Sequence, residues 1–271
     1  MIPPYLIVDT KGIRYLLFEI KDSINREIKY KGEFALLERE ICKVFILKNH
    51  LTDGAEGIVL DVGANLGAFS LPLSKIKEAG NINFMCFEPQ KIVFQQLCSN
   101  VILNQASNIN TYNVALGERL GILNIPQLDL ANCDNVGGYS LDETIRRNRE
   151  QKPGFSSRNF YTGEIETVDL KTLDSYEIKK NIIFIKIDVE GNELEVIKGG
   201  YNTLQQHSFP PILFEVWDHI DWYKDKATET KNSLLDMGYE LTKIGENYLA
   251  QNKGNKSYVD FKINNGSITF G

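Results

Sequence analysis

The stretch Ile58-Val-Leu-Asp61-Val-Gly63-Ala-Asn65-Leu-Gly67-Ala-Phe-Ser70 constrains the fold more than any other part of the chain. An apolar run reaches an Asp, glycines follow at Gly63 and Gly67, and helical residues begin straight after the second. That order is how a buried parallel strand passes into a helix. Glycines allow positive φ and close backbone approach, while the start of a helix presents unpaired N–H groups and the positive end of its dipole. The junction reads either as a nucleotide or anion site or as a tight strand-to-helix turn with no ligand.

A second stretch, Ile82-Asn-Phe-Met-Cys-Phe87-Glu88-Pro89, separates these readings. It is an apolar strand that ends in a carboxylate, the arrangement that accepts hydrogen bonds from ribose hydroxyls across the first turn. A ribose-containing ligand is therefore expected. The dehydrogenase fingerprint G-x-G-x-x-G is not met, because Asn65 replaces its second glycine and the third is absent. An Asp placed before the first Gly suits a cationic ligand group, and S-adenosylmethionine offers an ammonium beside its sulfonium. A dinucleotide becomes the second choice.

A chain of 271 residues has room for one large α/β domain or at most two small ones. With 42% hydrophobic and 24% charged residues it belongs to the soluble globular class. A formal net charge of -6 argues against a protein that coats nucleic acid. Asp9, Lys11 and Arg14 interrupt the first apolar residues, so neither a signal-peptide core nor a membrane span is expected there, and the expected compartment is the cytoplasm. Cys42, Cys86, Cys98 and Cys133 form no C-x-x-C pair, which disfavours a zinc knuckle or a disulfide framework.

Residues 4–20 read as a hairpin, and Phe34–Leu47 as a helix with Leu37, Ile41, Val44 and Ile46 near one face. Together they form an N-terminal extension over residues 1–50, either a cap on the core or a substrate lid. The remaining chain, 51–271, is expected to be the ligand-binding domain. A helix with Val93, Leu97 and Val101 follows Glu88-Pro89, then a third strand near Ile109–Val114. The end of that strand puts Asn113, Val114 and Ala115 either against a base or ribose or in a plain turn.

From Leu120 to about Ile165 the pattern breaks, apart from a short strand at Gly121–Ile125. Connections this long are usually lids, binding loops or disordered segments. Between residues 145 and 158 Arg146, Arg147, Arg149, Lys152 and Arg158 stand against Glu150 alone. The patch reads either as a seat for a phosphate or other anion on the substrate or as a solvated loop.

Ile182-Ile-Phe-Ile-Lys186-Ile-Asp188-Val-Glu190-Gly191-Asn192-Glu193 repeats the order of apolar strand, acidic end, glycine and helix, with Leu194, Ile197, Tyr201 and Leu204 as the buried stripe. Lys186 inside that strand calls for a carboxylate partner. A fifth strand near Ile212 ends at Glu215, and the rest reads as a helix near Thr230–Met237, an antiparallel pair and a strand-like tail. Glu88, Asp188 and Glu215, with the Asp61 turn, meet at one rim of a parallel sheet, which favours a site.

These motifs closely resemble those of the FkbM-type S-adenosylmethionine-dependent methyltransferases: Asp61-Val-Gly-Ala-Asn-Leu-Gly67 with Ser70, Phe87-Glu-Pro89, Asn113-Val-Ala-Leu-Gly117, and Lys186-Ile-Asp-Val-Glu-Gly-Asn-Glu193 with Gly199-Gly200. The resemblance runs over residues 57–217 and is most specific in the Lys186 block. It implies a class I methyltransferase fold, an α/β Rossmann-like arrangement of seven mostly parallel strands with helices on both faces and an antiparallel C-terminal edge. It also implies methyl transfer to a hydroxyl oxygen of a sugar, glycan or secondary metabolite. Asp61, Gly63, Ala64, Asn65 and Gly67 would line the methionine part of the cofactor, Glu88 the ribose, and Asn113 and Ala115 the adenosine, with Asp188 beside the reacting methyl.

Methyl transfer to an alcohol needs a base, for which Asp188, Glu190, Glu215 and His219 are the candidates. Glu190 also reads as a helix N-terminal carboxylate and His219 as a loop histidine. A metal held by Asp188, Glu190 and Glu215 would acidify the hydroxyl instead, although none is expected. The expected partner is a small-molecule or glycan acceptor, anionic or nucleotide-linked if the Arg146–Arg158 patch binds it, with no nucleic acid and no membrane insertion. An NAD-dependent oxidoreductase and a non-catalytic nucleotide-binding module are the alternatives.

Overall fold

The apolar run before Asp61 becomes an inner strand of a seven-stranded sheet, and all six of its residues are buried. A computed structural model describes residues 3–53, 56–133, 135–150, 161–264 and 267–270. The chain opens with strands β1 (Tyr5–Thr10) and β2 (Ile13–Phe18), helices α1 (Ser23–Lys31) and α2 (Leu36–Asp53), then β3 (Gly57–Val62), α3 (Ser70–Ser74), β4 (Ile82–Phe87) and α4 (Lys91–Leu103). Next come β5 (Ile109–Tyr112), β6 (Ala115–Leu116), β7 (Gly121–Leu128), α5 (Glu143–Glu150) and β8 (Tyr161–Lys171). The last part holds β9 (Ile182–Ile187), α6 (Glu193–Lys198), α7 (Tyr201–Gln206), β10 (Ile212–Glu215), α8 (Lys224–Asp236), β11 (Glu240–Ile244), β12 (Asn247–Gln251), β13 (Phe261–Asn264) and β14 (Ser267–Phe270).

The main sheet has the order β11-β12-β10-β9-β3-β4-β5. Strands β5, β4, β3, β9 and β10 are parallel, and β12 runs antiparallel between β10 and β11. This is the class I methyltransferase arrangement, with its antiparallel C-terminal edge. Its parallel strands are apolar along their length because helices cover both faces. Val59, Phe84 and Phe184 pack with Phe45 of α2, Leu71 of α3 and Leu97 of α4. Leu60, Met85 and Ile185 face the other way, toward Val196 of α6, Leu204 of α7 and Leu234 of α8.

The N-terminal segment is built into the first of these cores. Ile13, Tyr15 and Leu17 on β2, Ile28 on α1 and Ile41 and Ile46 on α2 are buried there. The division expected at residue 50 falls inside α2. Helix α1, which apolar periodicity did not signal, is framed by its ends: the Asp22 side chain accepts the Asn25 N–H, and Gly32 closes it at φ 79°. The outer edge of β2 meets α4, not another strand. The Asn104 side chain bonds both backbone groups of Arg14, at 2.9 and 2.6 Å; Asn100 accepts the Leu16 N–H at 2.6 Å and Gln96 donates to the Leu16 carbonyl at 2.9 Å.

The segment read as irregular between Leu120 and Ile165 is more ordered than its sequence suggests. Strand β7 pairs antiparallel with β8, β6 joins them in a three-stranded sheet, and α5 lies between. Lys152 and Arg158 lie outside the described residues. No disulfide joins any of the four cysteines, and no helix among the described residues is long and apolar enough to cross a membrane.

Candidate active site

From β3 the chain moves outward through β4 and β5 on one side, then returns to build β9 and β10 on the other. The switch point between β3 and β9, at the carboxyl ends of the strands, is where open α/β sheets bind ligands. A cavity of about 1280 Å³ opens there, larger than the ~300–1,000 Å³ of an ordinary ligand site. Gly63, Ala64, Asn65, Glu88, Ala115, Asp188, Glu190 and Glu215 all line it.

Two of these positions depend on backbone that few residues adopt. Gly63 has φ 82°, and a Cβ there would stand 1.8 Å from the Asp188 carbonyl oxygen, so the ends of β3 and β9 are in direct backbone contact. Asn65 takes φ 50° at the place where the dehydrogenase fingerprint has a glycine, a conformation Asn tolerates. Glu88, buried at the end of β4, accepts the Asn65 N–H at 3.0 Å through one oxygen and the Gln90 N–H at 2.9 Å through the other. Burial pushes its carboxyl up to about 7, against the pull of those two bonds. A carboxylate has about four acceptor positions, so each oxygen keeps capacity for a ligand hydroxyl.

Three residues expected at the cofactor lie off the cavity wall. Asp61 is fully buried beneath the turn, accepts the Ser70 hydroxyl at 2.6 Å and stands 3.8 Å from the Lys186 ammonium. Its strand is covered on both faces, so the carboxylate points into the protein. Gly67 has φ 91° and sits so near Leu71 and Leu97 that a Cβ would stand 2.9 Å from each, a packing role. Asn113 turns its amide to the Glu88 and Pro89 carbonyls, both at 2.9 Å, and so pins the Glu88 turn from behind.

On the other side of the switch point three carboxylates converge. Asp188, Glu190 and Glu215 each place an oxygen within 4.8 Å of the others, close enough to hold a cation. Two basic side chains already face them. Lys186 donates to Asp188 at 3.1 Å; burial opposes its charge, but Asp188 and Asp61 outweigh that and hold the ammonium above its usual range. Arg149 donates to Glu190 at 2.7 Å, bonds the Gly138 carbonyl and lies 4.2 Å over the Trp217 ring. Burial and the Asp188 charge raise Glu190 to about 7 despite Arg149. Glu215, half-buried beside Asp188 and Glu190, rises to about 9 by desolvation and their charges, and its Oε2 has no hydrogen-bond partner among the described residues. Glu190 has φ 57°, a strained conformation for a non-glycine residue. His219 is exposed and does not line the cavity, because the chain turns outward after the buried Val216 and Trp217.

Glu193 belongs to the scaffold. One oxygen accepts the Val189 and Gly191 N–H groups at 3.1 Å each, and the other takes the Tyr223 hydroxyl at 3.2 Å. The arginines read as an anion seat also have protein partners. Arg146 bonds the Ser140 carbonyl at 2.9 Å, Arg147 pairs with Glu143 at 2.5 Å and Arg149 with Glu190, and none of the three lines the cavity. The loop before α5 lies over the glycine-rich turn: Gly137 is packed so that a Cβ would stand 3.1 Å from Asn65 Nδ2, and Val136 accepts a bond from Gln90. Sequence reasoning put Arg149 in a patch for a substrate anion; the structure pairs it instead with Glu190, a partner that its place in the last turn of a polar helix did not signal.

Comparison with known proteins agrees with this architecture. The family model for the methyltransferase FkbM domain matches residues 61–241. Methyltransferase sdnD of Sordaria araneosa is 28% identical over 226 residues, 73% of this chain and 83% of that protein. Methyltransferase 1 of Beauveria bassiana (strain ARSEF 2860) is 26% identical over 174 residues, 61% of this chain; the match spans 62% of that relative's length, less than two thirds. Among solved structures, monomeric WbdD shares the fold at a TM-score of 0.50 and 12% identity, over 86% of this chain and 46% of that one. The match to the family model takes in the end of β3 and the whole of β4, β9 and β10, the strands whose ends form the cavity rim, and on it this chain belongs to the FkbM methyltransferase family.

Proposed function

We propose that this protein is an S-adenosylmethionine-dependent O-methyltransferase that acts on a hydroxyl of a small acceptor, a sugar, glycan or secondary metabolite. The observation that carries the reading is one cavity that joins a ribose-type carboxylate, Glu88, to the Asp188, Glu190 and Glu215 cluster across the switch point. Gly63, Ala64 and Asn65 would hold the methionine part, Glu88 the ribose, and Val114 and Ala115 the adenosine. The cofactor supplies an electrophilic methyl carbon when bound.

The protein has to align the acceptor oxygen, exclude water and remove the hydroxyl proton. Glu190 is the base in this reading, since a group near 7 is matched to neutral pH and Arg149 favours its ionised form. Glu215, near 9, keeps its proton and orients the acceptor by a hydrogen bond. Calorimetry with S-adenosylmethionine, S-adenosylhomocysteine and NAD tests the reading. Both sulfur ligands should bind and NAD should not; tight NAD binding with no response to either sulfur ligand would end it.

A further inference from the structure

The walls of the cavity divide along the rim, and, given the methyltransferase reading, that division bears on the acceptor. Neighbouring strands lie about 4.8 Å apart, so the five steps from β4 to β11 span roughly 24 Å. Glu88, Gly63 and Asn65 occupy the β4–β3 part, and Asp188 ends β9 near the middle. The other part is made by Glu215 at the end of β10, Ile244 at the end of β11, and Phe34, Leu36 and Leu37 around the start of α2. Hydrogen bonds join these pieces. Asn247 at the start of β12 donates to Glu38 of α2 at 3.0 Å, and the Val216 N–H reaches the Glu246 carbonyl at 3.4 Å.

This part is apolar where it is open. Leu36 and Leu37 are 49% and 42% exposed, although they line a concave wall with Phe34 and Ile244. Large apolar side chains left uncovered on a concave surface mark a ligand-binding face. Its charges have one sign: Glu38 and Glu246 line it, beside the protonated Glu215. Among the described residues the lining cations are Lys186, paired with Asp188, and Arg119, which follows β6 on the cofactor side.

We propose that the β10–β12–β11 part of the cavity selects an acceptor with an apolar body and no negative charge, and rejects phosphate-bearing acceptors such as nucleotide-linked sugars. Phosphate beside the Glu38 and Glu246 carboxylates meets like-charge repulsion, which is how specific sites turn partners away. The apolar body would pack on Leu36, Leu37 and Ile244, with its hydroxyl toward Glu190 and Glu215.

The test is calorimetry on the full chain saturated with S-adenosylhomocysteine, titrated with octyl glucoside, octyl phosphate and glucose. Octyl glucoside should bind at least about tenfold tighter than either of the others. The double variant L36Q/L37Q should weaken octyl glucoside about tenfold and leave the affinity for S-adenosylhomocysteine unchanged. Octyl phosphate or glucose binding as well as octyl glucoside would overturn the proposal, as would an unaltered double variant or no binding of any octyl compound. The phosphate comparison needs no variant, so it stands even if the double variant misfolds. If S-adenosylhomocysteine itself fails to bind, the cofactor reading fails first and the acceptor inference falls with it.

Discussion

Glu88 is both a ligand group and a clamp on its own turn, and its titration links the two. A ribose diol donates to the ionised carboxylate, so affinity for S-adenosylmethionine should weaken as pH falls below about 7. Glu88→Gln should lose about ten- to a hundredfold in affinity at pH 8 and show a flatter pH dependence, read by calorimetry at several pH values. In the unliganded protein the sign reverses. Its raised carboxyl gives stability that is complete below the unfolded value near 4.5 and lost as pH rises through about 7, so the variant should melt with a shallower pH slope over that window. Lys186 carries a second expectation. Lys186→Met would leave Asp61 buried with the Ser70 hydroxyl alone, at a cost of about 3 kcal/mol in urea unfolding, and Asp61→Asn in the same chain should restore part of it. The convergence of Asp188, Glu190 and Glu215 could be read from the sequence because each closes or follows an apolar strand run. The withdrawal of Asp61 from the cavity could not, since a one-residue alternation decides which way a strand side chain points and nothing local marks the turn above it.

Helix α5 shows what a sequence pattern hides. Ile145 is its one buried residue, so it lacks an apolar stripe, and its place is set by long-range contacts of Arg149 with Glu190 and Trp217. Arg149→Met should destabilise the protein by about 3 kcal/mol at pH 8 and by less at pH 6, where Glu190 can take up a proton, as thermal melts at the two pH values would show. Equal losses at both would separate Glu190 from that pair. The buried stripe expected through Leu194, Ile197, Tyr201 and Leu204 is correct except at Tyr201, which is 43% exposed. Gly199 breaks the helix there and brings the chain so close that a Cβ would stand 1.9 Å from the Gly117 carbonyl oxygen. A periodic pattern carries on through such a break; the backbone contact that causes it lies more than eighty residues away in sequence.

At the scale of the whole molecule, a mostly parallel sheet with its site at one rim was legible because apolar runs with acidic ends recur at β3, β4 and β9. The role of the first fifty residues was not, because burial against a sheet and service as a lid call for the same amphipathic helix. Phe45 and Ile46 of α2 and Leu17 of β2 lie in the core shared with Val59 and Phe184. Removing residues 1–50 should therefore abolish cooperative unfolding, not yield an enzyme with an open site. A truncated chain that melts sharply near the full-length temperature, followed by circular dichroism, would instead establish a dispensable cap.

The contact between α4 and β2 has a consequence for how the chain finds its native pairing. Gln96, Asn100 and Asn104 recur at helical spacing and meet the backbone of Arg14 and Leu16 at alternate positions along a strand. Slipping β2 by one residue would turn Ile13, Tyr15 and Leu17 to solvent and leave all four of these hydrogen bonds misaligned. The helix thus acts as a ruler for the hairpin, rejecting wrong registers, and it denies the outer edge of β2 to a strand from a neighbouring molecule.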